Sequence, residues 1–138
     1  MAQLITKQEM MMMIYQILGE GESYLAVLPG TMILGNAREC VFGLTEKNLN
    51  VAIQDSAIPS MMAEDICIPL ADISHISVKK GFMGKTEIIL SRIIPGTEKT
   101  FPYKLQFAKK AKNCDISSED YQEAMDVFIE QMNSVLNK

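Results

Sequence analysis

The chain has 138 residues, of which 48% are hydrophobic and 22% are charged, and its formal net charge is −4. A chain of about 150 residues buries roughly 70% of the surface that its unfolded form exposes, so one domain of this length needs no disulfide or metal to hold its core. Disorder is excluded for the bulk of the chain, because low hydrophobicity and high net charge are both absent. The longest unbroken apolar run, Met10 to Tyr15, is far shorter than the ~20 residues of a membrane-spanning helix.

The first predicted element is a helix over about residues 7–18. Thr6-Lys7-Gln8-Glu9 matches a capping box, apolar residues follow at helical spacing, and Gly19 and Gly21 supply the stop. Thioether side chains adapt to irregular surfaces, so a face rich in methionine is typical of adaptable binding sites. Two arrangements are open: the helix packs wholly against the rest of the chain, or part of it contacts a protein partner or a second copy. The residues concerned are Met10, Met11, Met12 and Met13.

Between Tyr24 and Phe107 the apolar period changes to two, which predicts about seven β-strands. Pro29-Gly30 is expected to break the first of them. Gly81–Gly84 predicts a turn, and Pro102, which cannot donate to a strand ladder, should lie at a sheet edge or a strand start. The predicted strands lie within residues 24–34, 40–44, 49–53, 66–70, 76–78, 87–94 and 101–107, with residues 45–48 closing a hairpin.

The last predicted element is an amphipathic helix. Asp115, Ser117 and Ser118 offer an N-cap, and acidic residues in the first turn suit the helix dipole. One apolar stripe runs along it and needs a sheet to cover. The stripe consists of Tyr121, Met125, Phe128, Ile129, Met132, Val135 and Leu136.

One helix, about seven antiparallel strands and a final helix make an α+β chain whose sheet must bend. This order resembles the pleckstrin-homology-like (PH-like) fold. The sequences of Phe42–Leu49 and Ile68–Ile76 are similar to short motifs of bacterial PH-like and GRAM-type domains. The resemblance covers residues 22–137 and implies a bent antiparallel sheet, or partly open barrel, capped by the C-terminal helix. We therefore divide the chain into an N-terminal helical extension, residues 1–21, and a PH-like domain, residues 22–138, in a single folding unit.

The chain departs from eukaryotic PH domains in two ways. It has no Trp, whereas those domains typically place one in the closing helix, and here Phe128 is expected to fill that volume. Their phosphoinositide site draws on a basic loop between the first two strands, and the matching residues 29–40 hold only Arg38 among the cations. Specific inositol-phosphate binding at that loop is therefore not expected.

The middle of the chain is basic, since residues 67–112 hold nine cations and three acids while both flanks are acidic. Within it, a glycine-flanked tip carries Phe82 and Met83 among Lys79, Lys80 and Lys85. Apolar residues ringed by lysines suit an anionic bilayer interface. The alternative is a hairpin whose apolar residues fold back onto the protein, within an ordinary solvated surface.

The sequence offers no catalytic, metal-binding or cofactor-binding cluster. His75 is the sole histidine, and Cys40, Cys67 and Cys114 are widely spaced, which favours a reducing compartment over a disulfide framework. The lysines and aromatics of residues 103–110 alternate so that the aromatics point inward, and we expect no nucleic-acid partner. The N-terminus lacks the basic region and cleavage site of a signal peptide, so we expect a cytoplasmic protein, or one at the inner face of the membrane.

The leading expectation is a non-catalytic, intracellular PH-like scaffold that binds protein, either a separate partner or a second copy of itself through the N-terminal helix. The alternative is a weak peripheral binder of anionic membrane lipid that uses the Lys79–Lys85 hairpin. An enzyme ranks last, because no nucleophile–base pair or metal cluster can be assembled from these residues.

Overall fold

The computed structural model describes residues 4–136, apart from the side chains of Phe82, Val135 and Leu136. Two single-turn 3-10 helices connect strands, at Leu70–Asp72 and Phe82–Gly84. The strands and helices in chain order are β1 (Ile5–Thr6), α1 (Lys7–Tyr15), β2 (Ala26–Leu34), β3 (Asn36–Leu44), β4 (Asn48–Gln54), β5 (Met62–Pro69), β6 (Ile73–Lys80), β7 (Thr86–Ile93), β8 (Thr100–Phe107), β9 (Cys114–Asp115) and α2 (Ser118–Leu136).

Strands β2 to β8 form one seven-stranded sheet in the order β5-β4-β3-β2-β8-β7-β6, and every pair in it is antiparallel. The two edge strands, β5 and β6, are consecutive in the chain, so the sheet curls without closing between them. A separate two-residue parallel pair joins β1 to β9 and ties the start of the chain to the segment before α2. The predicted seven-stranded antiparallel sheet between two helices is confirmed.

Helix α1 starts with the predicted capping box. The Glu9 backbone N–H donates to the Thr6 hydroxyl at 3.0 Å, and the Thr6 N–H donates to the Glu9 carboxylate at 2.9 Å. The helix ends at Tyr15, three residues earlier than predicted. The Tyr24 hydroxyl donates to the Ile14 carbonyl and the Asn50 amide donates to the Ile17 carbonyl. The chain after Tyr15 continues in tight turns, in which the backbone N–H groups of residues 16–18 each donate to the carbonyl three residues earlier.

The sheet is covered on both faces where β3 and β4 lie together. Phe42 and Val51 point into the core beneath α2, while Val41 and Ala52 on the opposite face are buried against α1. The apolar period of two in the sequence predicts a single buried face for each strand. The opposite face is buried because α1 covers it. Gly43 permits α1 to approach β3 closely, since a Cβ at residue 43 would lie 2.8 Å from Cγ1 of Ile14.

Strand β2 runs unbroken through Pro29 and Gly30, contrary to the expected break. It pairs with β3 along its whole length, but with β8 only from Thr31 to Ile33. Pro29 therefore has one flank without a neighbouring strand, and a strand can accept proline at such a position. Pro102 follows the same rule as predicted, because it pairs with Ser91 of β7 but lies outside the β2–β8 ladder.

Helix α2 begins as predicted, with the Asp120 N–H donating to the Ser117 hydroxyl at 3.1 Å. The apolar stripe packs into the sheet from Tyr121 to Met132, and the side chains of Val135 and Leu136 lie outside the described part of the structure. Phe128 is fully buried, with its ring centroid 6.5 Å from that of Phe42 and 5.9 Å from that of Phe107. The expectation that Phe128 fills the core beneath the closing helix is confirmed.

Candidate functional site

The β6–β7 connection presents Met83 to solvent. Its side chain is 82% exposed, and its backbone has φ of 66°, a left-handed conformation that costs a non-glycine residue free energy. Gly84, with φ of 78°, completes the turn. The tip is therefore held in a shape that projects Met83. Phe82 forms part of the same 3-10 turn, but its side chain lies outside the described part of the structure, so its predicted role stays a prediction.

The predicted lysines separate into two groups. Lys79 and Lys80 lie exposed on edge strand β6, where Lys79 is in register with Glu87 of β7. Lys85 instead lines a cavity of about 370 Å³ together with Met83, Lys109 and Lys112. We call this cavity with its three lysines and Met83 the cationic pocket. Sequence reasoning missed Lys109 and Lys112, which the chain brings in from the segment after β8.

The connection between β8 and β9 is anchored at both ends of the pocket wall. The Tyr121 hydroxyl of α2 donates to the Ala108 carbonyl at 2.8 Å. At the other end, the buried amide of Asn113 donates to Gln54 Oε1 at 2.7 Å and to the Cys40 carbonyl at 3.0 Å. Because both ends are fixed, the lysines between them are presented on a defined segment.

The aliphatic part of Lys109 packs against the hairpin tip. A Cβ built on Gly84 would lie 3.1 Å from Cβ of Lys109, which is tighter than ordinary contact. Glycine at this position therefore serves both the left-handed turn and the close packing of a lysine stem. The contact brings the β6–β7 tip and the segment after β8 into one surface.

The pocket is electropositive. Among the described residues the ion pairs are Lys7–Asp120, Arg38–Glu64 and Arg92–Asp72, which leaves the pocket lysines unpaired, and no carboxylate lines the cavity. Two acids lie beside the pocket: Glu87 accepts from the side-chain amide of the lining residue Gln106 at 3.2 Å, and Glu39 accepts from the Thr31 hydroxyl at 3.4 Å. Burial raises the pKa of Glu39, while that hydrogen bond and the charge of Lys112 lower it. An anion entering the pocket would meet three lysines, and the charge of one of them, Lys112, is partly offset by Glu39.

The methionines of α1 divide between the core and the surface. Met10 and Met13 are 1% and 2% exposed and belong to the cluster beneath α1. Met11 is half-buried, and Met12 is 60% exposed. A partner or oligomer face on this helix is therefore reduced to Met12 and part of Met11.

The remaining candidate groups do not converge. His75 is exposed on β6, and of the three free cysteines Cys40 and Cys114 are buried while Cys67 is exposed. Within residues 4–136, no three His, Cys, Asp or Glu side chains are grouped to hold a metal. Neither described helix has the length and apolar character needed to cross a bilayer.

No protein-family model matches the chain, and no curated protein matches it in sequence. Among solved structures, it is similar to the hSac2 domain from human phosphoinositide phosphatase Sac2, with a TM-score of 0.58 and 12% identity, covering 93% of this chain and 79% of that one. It also matches a pleckstrin homology domain from Shewanella amazonensis with a TM-score of 0.46 and 17% identity, covering 91% of this chain and 93% of that one.

The fold is PH-like. A seven-stranded antiparallel sheet that stays open between its edge strands, with α2 packed into it, is the α+β architecture expected from the sequence. At 12% identity the likeness to the Sac2 domain is one of fold. A ligand for this PH-like chain must therefore be argued from its own surface.

Proposed function

We propose that this protein is a non-catalytic binding module that attaches reversibly to anionic membrane surfaces through the cationic pocket. The observation that supports this proposal most strongly is the exposed Met83 beside Lys85, Lys109 and Lys112. An apolar side chain at a projecting turn can enter the acyl boundary while lysines around it meet lipid phosphates. Lys79 and Lys80 are near enough along β6 to add long-range attraction to the same surface.

The expected affinity is low. Each lysine near an anionic surface contributes about 1 kcal/mol, and full burial of a methionine contributes roughly 1.5–3 kcal/mol. A total near 5 kcal/mol corresponds to a dissociation constant between about 1 mM and 0.1 mM. Attachment at this strength is reversible, and several copies or a second binding partner would be needed to hold the protein at the membrane.

This ranking reverses the one drawn from the sequence, in which a protein-binding scaffold came first. The partner face expected for that scaffold consisted of four methionines, and two of them belong to the core beneath α1. The alternative, membrane binding, is strengthened by Lys109 and Lys112, which the sequence did not connect with the Lys79–Lys85 hairpin. A membrane role also fits the expected cytoplasmic location, since anionic lipids are concentrated on that face of the membrane.

Sedimentation with vesicles tests the proposal. We expect the protein to pellet with vesicles of phosphatidylcholine and phosphatidylserine, and to stay in solution with phosphatidylcholine alone. Lys109→Ala should weaken binding about fivefold, which corresponds to the ~1 kcal/mol of one lysine near the surface. Added inorganic phosphate that abolishes pelleting would instead identify a free phosphate as the ligand.

Lys99→Ala provides the matched control. Lys99 lies exposed on the β7–β8 connection, at the end of β7 remote from Met83, and a strand of this length separates the two ends by about 25 Å. The two substitutions remove the same charge from an exposed position. Equal losses from both would show a general charge effect and would refute the cationic pocket as the binding surface.

A further inference from the structure

A second cavity, of about 340 Å³, opens between α1 and α2 over the start of β2. We call it the interhelical groove. It shares no lining residue with the cationic pocket. Its volume is near the lower end of the roughly 300–1,000 Å³ typical of ligand sites. The groove exists because β8 pairs with β2 only from Thr31 to Ile33, which leaves one edge of the first half of β2 without a neighbouring strand and next to the two helices.

The floor of the groove is apolar and adaptable. Val27 of β2 and Val127 of α2 are half-buried along it, and Met11 of α1 is half-buried at its side. Tyr15 lies at the end of α1 with its side chain 49% exposed, and its ring meets that of Tyr24 edge-on at 5.2 Å. Aliphatic residues, a thioether and an exposed aromatic ring can accept one or two apolar side chains of another chain.

The rim of the groove is acidic. Asp120 and Glu123 of α2 line it, and its one lining cation, Lys7, is held by Asp120 at 3.6 Å with both side chains more than half exposed. Helix α2 carries five acids and no Lys or Arg over residues 118–136. An exposed ion pair of this kind is worth little and is easily exchanged. An incoming cation can therefore displace Lys7 from Asp120.

From this complementarity we infer that the interhelical groove binds a cationic amphipathic peptide segment of a partner protein. The apolar side chains of the segment fill the floor between Val27, Met11 and Val127. Its Lys or Arg residues meet Asp120 and Glu123, and a further one can lie over the exposed ring of Tyr15. The acidic rim disfavours an anionic membrane at this site, so the groove and the cationic pocket select opposite partners.

The experiment uses the full chain and a labelled peptide of about 15 residues with leucine and lysine at amphipathic helical spacing. Fluorescence anisotropy should show binding of this peptide, weaker binding as salt rises, and no binding of the same peptide with glutamate for lysine. Glu123→Lys should weaken binding about tenfold, because it replaces an attractive contact with a repulsive one. Met11→Gln should weaken it severalfold by removing apolar contact.

Two variants serve as matched controls. Glu98→Lys makes the same charge change on the exposed β7–β8 connection, and Met12→Gln makes the same side-chain change at the neighbouring methionine outside the groove. Both should bind the peptide as the unaltered chain does, and Glu123→Lys should still pellet with anionic vesicles. The inference is overturned if the glutamate peptide binds equally, if Glu98→Lys is as harmful as Glu123→Lys, or if neither peptide binds. It is also overturned if sedimentation equilibrium shows a dimer that Glu123→Lys dissociates, since a second copy would then fill the groove.

Discussion

The Tyr24 hydroxyl donates a hydrogen bond of 2.6 Å to the carbonyl of Ile14, which lies in the last turn of α1. Asn50 of β4 joins this contact, because its side-chain amide donates to the Tyr24 oxygen at 3.1 Å and to the Ile17 carbonyl at 3.3 Å. Carbonyls at a helix C-terminus have no partner within the helix. These two side chains donate hydrogen bonds to such carbonyls and fix α1 to the outer face of the sheet. In that position α1 forms one wall of the interhelical groove.

Replacement of Asn50 should loosen this attachment. Asn50 is buried, so Asn50→Ala leaves the Ile17 carbonyl and the Tyr24 hydroxyl short of a partner, at a cost of about 1–3 kcal/mol in the free energy of unfolding. Urea denaturation measures the loss. Asn133→Ala, at a partly exposed position on α2, is the control and should change stability by less than ~0.5 kcal/mol. A neutral Asn50→Ala would show that the contact does not hold α1.

Gly43 should tolerate no side chain. A Cβ at this position would lie 2.8 Å from the Ile14 side chain and would also collide with the Tyr24 ring. Gly43→Ala should therefore lower the free energy of unfolding by about 1–3 kcal/mol and increase amide hydrogen exchange in α1. Gly81→Ala is the comparison, because a Cβ there meets only the Lys85 carbonyl at 3.5 Å. Equal stability of the two variants would contradict the close packing of α1.

The three cysteines should differ sharply in reactivity. Burial raises the pKa of Cys40 to about 12 and that of Cys114 to about 11. Partial burial also raises the pKa of Cys67, but this residue is exposed on edge strand β5 and accessible to a reagent. Thiolates are the reactive form, so a disulfide reagent near neutral pH should modify Cys67 in the folded protein. The other two should react only after denaturation. Mass spectrometry of peptides identifies the labelled residues, and early labelling of Cys40 would contradict its burial.

Stability should decline at alkaline pH. Burial raises the pKa of Cys40 from 9.0 to about 12 and that of Tyr121 from 10.0 to about 12. Between these values the folded state binds more protons than the unfolded state, so the contribution of these two groups to the free energy of unfolding is constant below about pH 9 and falls as the pH rises toward 12. Urea titrations across this range measure the slope. Cys40→Ala should show a shallower slope, and an identical slope would exclude Cys40 as a contributor.

Local signals in the sequence were sufficient for the two helices, the seven strands of the main sheet and their order, but not for the short pair β1–β9. The capping box at Thr6 and Glu9 and the stripe through Phe128 each depend on residues within one element, and both are confirmed. The unbroken β2 could not be foreseen, because acceptance of Pro29 depends on where β8 begins to pair. The buried outer face at Val41 and Ala52 likewise depends on where α1 packs.

The sequence predicted only part of the cationic pocket. Spacing placed Lys85 and Met83 on one turn, and the structure retains both in the cationic pocket. Lys109 and Lys112 follow a different strand, β8. Their position beside the turn depends on the hydrogen bonds of Asn113 and Tyr121 and on the absence of a Cβ at Gly84. The basic bias of residues 67–112 was the one signal that could have connected them, and it does not specify which lysines meet.

Insertion of Met83 is the most direct test of membrane attachment. Met83→Asp places a charge at the projecting tip, and Ile94→Asp places one on an exposed apolar residue at the opposite end of β7. With vesicles of phosphatidylcholine and phosphatidylserine, we expect Met83→Asp to lose at least tenfold in affinity, since roughly 1.5–3 kcal/mol of burial disappears. Ile94→Asp should pellet as the unaltered protein does. Equal binding by Met83→Asp and the unaltered chain would contradict attachment through this turn.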